Sequence, residues 1–191
     1  MSPRAVSLPP DQRREALVEA TLPLLLEHGK GVTTRQIAQA AGVAEGTIFR
    51  VFASKDDLIE VAVERGLDIE PFLDDLESID RDQDLRGRLL DLAERLQVRF
   101  TGIFALMTAM GMVGPPKSHR HTQEGRLRSQ KVMVALVEPD AHRLTCSPAQ
   151  LVHMLRLLTF SGTHPHISEG HPLTPDQIVG TLLDGVLKED S

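Results

Sequence analysis

Apolar residues recur along this chain at intervals of three and four and nowhere alternate over a sustained stretch. That pattern predicts helices and no strands. Between Asp11 and His28 it runs through Leu17, Leu24 and Leu25 and stops at Gly29, a first helix closed by a glycine, with Pro23 expected to remove a backbone bond and bend it. The helical pattern continues over Leu58 to Gly66. Leu85 to Met112 predicts a long helix, amphipathic through Leu85, Leu89, Leu92 and Leu96, uncharged beyond Phe100 and ended by Gly114-Pro115-Pro116. His119 to Val137, Pro148 to Gly162 and Pro175 to Lys188 complete an all-α chain of eight or nine helices.

Helix starts are marked independently of that periodicity. Thr33 with Gln36, Ser54 with Asp57, Ser147 with Gln150 and Thr174 with Gln177 each set a hydroxyl three residues ahead of a side chain that can reach back. Pro148 and Pro175 follow two of these caps at the first helical position, where the missing N–H costs nothing. The stretch Asp68 to Asp84 holds eight acidic residues, one basic residue and Pro71, and is expected to be a solvated, irregular or short-helical connector.

Composition narrows the class. The 191 residues are 41% hydrophobic but only 3% aromatic, with no Trp or Tyr, so the core must be built from Leu, Val, Ile, Ala, Met and Phe. A single cysteine, Cys146, permits no intramolecular disulfide. The N-terminus lacks the apolar segment of a secretory signal, and the longest uncharged run, Phe100 to Pro116, is shorter than a membrane helix requires. A cytoplasmic location is the expectation.

The net charge of −6 hides an asymmetry: residues 1–55 carry seven Lys/Arg against five Asp/Glu, and residues 56–191 carry fourteen against twenty-two. Phosphates sense charge over about 10 Å at ordinary salt, so the acidity argues against general coating of nucleic acid and leaves a local site open.

That local site is the segment Thr33 to Leu58. A helix-turn-helix needs a small residue where two helices touch, a residue tolerating positive φ in the turn, and apolar residues locking the second helix. Ala38, Gly42, and Ile37 with Val43 and Ile48 stand at those places. The second helix, about Glu45 to Phe52, would present Glu45, Gly46, Thr47 and Arg50 outward to a major groove. By itself the spacing also fits a helical hairpin inside an ordinary bundle.

The continuation "GTIFRVFASKDDL", with "LLLEHG" closing the first helix, resembles the DNA-binding domain of the TetR family of bacterial transcriptional regulators over about residues 11–65. The resemblance implies a helix-turn-helix domain over 1–54 and a ligand-binding and dimerisation domain over 55–191, with a fourth helix, about 54–67, linking them. It makes Thr34 and Arg35 phosphate or base contacts, Thr47, Phe49 and Arg50 groove-facing residues, and Lys55 a phosphate contact at a helix N-terminus. Arg50 is the expected base reader, since a guanidinium pairs a guanine edge through two hydrogen bonds. Arg13 and Arg14 could reach the backbone from the first helix. The family usually has Tyr where this chain has Phe49 and often His where it has Val51, so two phosphate contacts are absent here.

In the resemblance the last two helices of each subunit form a dimer interface, which assigns Leu151, Met154, Leu155, Leu158, Ile178, Leu182, Leu183 and Val186 to it. Two recognition helices about 34 Å apart then read a palindrome. The uncharged end of the long helix suggests an apolar ligand pocket lined by Phe100, Phe104, Met107 and Met110, with Met133, and with Arg99, Thr108 or Gln130 as polar partners. Such a lining favours a hydrophobic or amphipathic effector. The histidines at His119, His121, His164, His166 and His171 lack metal-ligand spacing, Cys146 has no base near it in sequence, and no phosphate loop or nucleophile elbow occurs, so no metal, cofactor or catalysis is expected. The leading expectation is a homodimeric, ligand-responsive regulator, most simply a repressor. The competing one is an all-α small-molecule-binding or scaffold protein whose motif no longer engages specific DNA.

Overall fold

The computed structural model describes residues 9–113 and 122–186, excepting the side chains of 122, 123 and 186. Nine α-helices appear among them, joined by short 3-10 turns and no strand. They are α1 (Pro10–His28), α2 (Thr34–Ala40), α3 (Ile48–Val51), α4 (Lys55–Gly66), α5 (Glu70–Glu77), α6 (Leu85–Ala109), α7 (Thr122–Val137), α8 (Pro148–Thr163) and α9 (Pro175–Val186). The described residues of Met1–Leu67 and Ala105–Pro116 form one compact unit, and those of Asp68–Phe104 and Lys117–Ser191 a second.

In the first unit, α1 packs on α2 and α4 around Leu17, Leu25, Val32, Ile37, Ile48, Phe52, Leu58 and Ala62, all nearly or fully buried. The expected boundary at 54–55 therefore moves to 67–68, because Leu58, Ile59, Ala62 and Val63 place α4 inside this unit's core. Pro23 lies inside α1, which continues through it. Gly29 closes α1 at φ 55°, its N–H donating to the Leu25 carbonyl. A Cβ there would lie 2.4 Å from the Ala109 carbonyl oxygen, so only glycine lets the end of α6 come this close. Arg65 of α4 pairs with Glu15 of α1 on the surface.

The second unit buries one large apolar cluster. Phe72 and Leu76 of α5, Leu85, Leu89, Leu92 and Leu96 of α6, Met133 and Leu136 of α7, Leu151 and Leu155 of α8, and Ile178 and Leu182 of α9 all join it. The acidic stretch expected as a solvated, irregular or short-helical connector does form a short helix, but not a fully solvated one: α5 exposes its carboxylates and buries Phe72, Leu73 and Leu76, followed by buried Ile79. Alternation of charge with apolar residues at helical spacing produced both faces, and the eight acids masked the apolar one. Arg88, nearly fully buried, pairs with Asp140 and also donates to the Arg81 carbonyl at 3.0 Å, while Arg143 approaches Asp140 at 2.8 Å from outside.

All four expected caps form. Thr33–Gln36 and Ser147–Gln150 are full capping boxes, and Thr174 with Gln177 makes the same reciprocal pair of bonds. At Ser54 the hydroxyl accepts from the Asp57 N–H, while the shorter Asp57 carboxylate takes the Ala53 N–H at 3.1 Å rather than that of the cap residue. The long helix ends earlier than expected, at Ala109 with Gly111 at φ 59°. Gly114, Pro115 and Pro116 lie outside the described residues, as do His119, His121 and Lys188.

Candidate nucleic-acid interface and effector region

The turn between α2 and α3 is a Schellman closure. Val43 N–H donates to the Ala38 carbonyl at 2.9 Å and Gly42 N–H to the Gln39 carbonyl at 3.2 Å. Gly42 sits at φ 67° with open space around it, so glycine is required here by backbone conformation rather than by crowding. Ala38 and Ile48 are buried and let the two helices meet, whereas Val43 is only half-buried, a smaller role than its motif position implied.

The recognition segment starts as a 3-10 turn, Glu45–Thr47, and becomes α3 only over Ile48–Val51. Phe52 ends it in extended conformation and anchors it, 2% exposed. Arg14 of α1 lies over the Phe52 ring at 4.4 Å, which engages one of the two arginines considered for backbone contact. Arg35, Glu45, Gly46, Phe49 and Arg50 are exposed, Thr34, Thr47 and Val51 half-buried. Phe49 is 57% exposed, an unfavourable setting for a phenyl ring unless something apolar meets it. A thymine methyl in a major groove is such a group.

Two polar contacts add detail that spacing did not reveal. The Thr34 hydroxyl donates to Glu45 Oε1 at 2.5 Å, joining the start of α2 to the start of the recognition segment. Its single proton is thus committed, and the Glu45 carboxylate is held at the exposed end of the motif. Lys55 Nζ donates to the Val32 carbonyl at 3.1 Å and more weakly to that of Lys30 at 3.4 Å, fixing its charge beside the N-terminus of α4 and leaving one N–H for a phosphate. Eleven and twenty-three residues separate the partners, so only a loop path known in three dimensions brings them together.

The proposed pocket residues divide between the units. Phe100, Phe104 and Met133 fall in the second, Met107 and Met110 in the first. Met133 is core, 1% exposed. Phe100 and Phe104 stack with ring centroids 6.1 Å apart, and both meet Phe160 of α8 edge-on at 5.3 and 5.0 Å. His164 adds a fourth ring, 4.6 Å from Phe104. Phe160 escaped the sequence reading, although its spacing of four from Arg156 and His164 was visible. Of the polar candidates, Arg99 stands 5.9 Å from the Phe72 ring, its pKa lowered by burial against the opposing pull of Asp68. Thr108 is exposed in the first unit, and Gln130 lines an open surface groove on α7 with Leu127, Lys131 and Val134.

The dimer residues need correction. Leu151, Leu155 and Ile178 are 0% exposed, and Leu182 and Leu183 are nearly so, all within the chain's own core. Met154 and Leu158 pack partly against it, and the Val186 side chain is outside the described residues. The most apolar stripe of each helix was assigned to a partner, but a protomer claims that stripe first. Outward on α8 stand His153, Leu157 and Phe160, and on α9 Gln177, Thr181, Asp184 and Gly185. No cluster of metal-ligating side chains, and no helix long and apolar enough to cross a membrane, occurs among the described residues.

Residues 17–62 match the family model for bacterial regulatory proteins of the tetR family. The fold is similar to the TetR transcription regulator from Haloarcula marismortui, at 18% identity and a TM-score of 0.63 over 93% of this chain and 100% of that one. A tetR-family transcriptional regulator from Streptomyces coelicolor aligns at 18% identity and a TM-score of 0.63, over 94% of this chain and 80% of its own. The superantigen pfit shares the fold too, at 22% identity and a TM-score of 0.61 over 95% and 92% of the two chains. Identities this low carry the all-α architecture alone. The functional assignment rests on the matched N-terminal segment and on the motif geometry within it.

Proposed function

We propose, for a chain whose residues 17–62 match the family model for bacterial regulatory proteins of the tetR family, that it is a cytoplasmic, homodimeric repressor released from a palindromic operator by a small effector. The N-terminal unit binds DNA, and the second unit supplies the effector site and the contact between subunits. The protein acts by binding and release, with no turnover of the effector.

One observation carries the DNA reading: the motif turns a mixed apolar and cationic set outward, with Phe49 57% exposed and Arg35 and Arg50 exposed beside it. On this reading Arg50 pairs a guanine edge, Phe49 meets a thymine methyl, and Glu45, braced by Thr34, accepts from a cytosine amino group. Arg35 and Lys55 position the unit on phosphates. The absent tyrosine and histidine hydrogen bonds at Phe49 and Val51 lower phosphate contacts rather than base contacts. Two copies related by a two-fold axis place two such sets in successive major grooves. An effector works by favouring a conformation in which that spacing no longer fits. Helix α6, which contributes residues to both units, is the covalent route for such a change.

The test is selection of genomic DNA fragments by the purified protein, followed by titration of the selected sequence and of DNA upstream of its own gene. A palindromic consensus bound at one dimer per site supports the reading. Binding without any sequence preference at low salt supports instead the small-molecule or scaffold protein.

A further inference from the structure

Arg156 lies four residues before Phe160 and seven before Thr163 on α8, so the three share one side of the helix. The Arg156 guanidinium is half-buried, and among the described residues no carboxylate or hydrogen-bond acceptor meets it. The charge acting on it is of like sign, from Arg126 on α7; burial first, and that neighbour second, push its pKa below the ordinary arginine value. A cation taken from water beside another cation is an unfavourable arrangement for a chain alone and a favourable one for an anion.

Thr163 carries a second unmet demand. Its Oγ1 is buried with no partner among the described residues. Helical geometry does not force this, since Thr159 one turn earlier donates to the Leu155 carbonyl at 2.7 Å. Buried hydroxyls are ordinarily bonded, so an unbonded one points to a partner that arrives from outside. Between these two polar groups stands Phe160, 39% exposed, with Phe100 and Phe104 packed edge-on against it. Arg156 and Thr163 are about 10 Å apart along the helix axis.

We infer that this side of α8 binds an organic anion, its carboxylate or similar oxyanion paired with Arg156, its apolar body on the Phe100, Phe104 and Phe160 rings, and a further polar atom at Thr163. The inference rests on the proposal that the second unit takes an effector, and it adds the effector's chemical class. A guanidinium pairs a carboxylate through two parallel hydrogen bonds, which an alcohol cannot supply and an ammonium opposes.

The test uses the full-length protein and three probes of equal chain length, decanoate, decanol and decyltrimethylammonium, measured by isothermal titration calorimetry. Decanoate is expected to bind at least tenfold more tightly than the other two. Arg156→Gln should abolish that preference and Arg156→Lys should restore part of it, while 10-hydroxydecanoate, which carries a second polar atom, should bind severalfold more tightly than decanoate and lose that advantage in Thr163→Val. Equal binding of decanol, or no binding of decanoate at millimolar concentration, overturns the inference; should Arg156→Gln not fold, the wild-type preference and the lysine variant decide it. Decanoate binding that leaves the operator complex intact would retain this site and remove ligand-responsive regulation. Operator release by a neutral compound, undiminished in Arg156→Gln, would do the reverse.

Discussion

The two units are held together in different ways. The N-terminal unit depends on local devices at known places: a capping box at Thr33, a left-handed Gly42, a glycine at the tight approach of Gly29 to Ala109, and a hydroxyl cap at Ser54. The second unit depends on one broad apolar cluster drawn from five helices, with a nearly buried ion pair, Arg88–Asp140, at its edge. A unit that must present a fixed set of side chains to an outside lattice is fixed by geometry. One that surrounds a core tolerates variation in what fills it, provided volume and patterning are kept.

Substitutions can break this contrast, and the largest effect should fall on the second unit. Asp140→Ala leaves the Arg88 guanidinium buried without its carboxylate and should cost about 3–5 kcal/mol in a urea unfolding titration. A loss below about 1 kcal/mol would mean that water reaches Arg88 and that the pair is not part of the core. In the first unit Arg50→Ala should leave unfolding unchanged while removing about 1–3 kcal/mol of discrimination at one operator position, read by competition binding against single-base variants. Uniform weakening across all sequences would reassign Arg50 to a phosphate.

Gly42→Ala tests the turn. The Cβ meets open space, so the cost is that of φ 67° alone, about 1–2 kcal/mol; a larger loss would show that the turn is more crowded in solution. Lys55→Ala should lower operator affinity alike for all sequences and reduce the slope of log K against log salt by about one. The smallest effects, about 1 kcal/mol each, are expected for Thr33→Ala and Ser147→Ala, matched capping boxes in the two units. Equal losses in thermal unfolding would show that a cap counts the same in either setting. A much smaller loss at Ser147 would show that the large core of the second unit dominates it.

Much of this architecture could be read from the residues in order. Helix existence, four N-termini and the Gly29 and Gly42 closures are decided within about six residues of chain, where spacing, caps and positive φ act directly. The motif residues were legible for the same reason, because a helix-turn-helix is a short segment whose outward positions follow from its buried ones. The solvated reading of Asp68–Asp84 failed where charge density outweighed a correct apolar spacing at Phe72, Leu73 and Leu76. Leu151, Leu155 and Ile178 failed as dimer contacts because periodicity shows that a stripe is apolar and says nothing of what covers it.

Sequence by itself thus marked most of the helices, four of their N-termini and the outward positions of the helix-turn-helix. Tertiary structure alone decided that Thr34 braces Glu45, that Lys55 is tied to the Val32 carbonyl, that Leu151 and Ile178 lie inside the protomer, and that the half-buried Arg156 and the buried Thr163 hydroxyl have no partner among the described residues. The physical reason is range. Backbone hydrogen bonding and capping act between residues three to six apart, whereas burial and charge depend on neighbours that only the folded path of the chain selects.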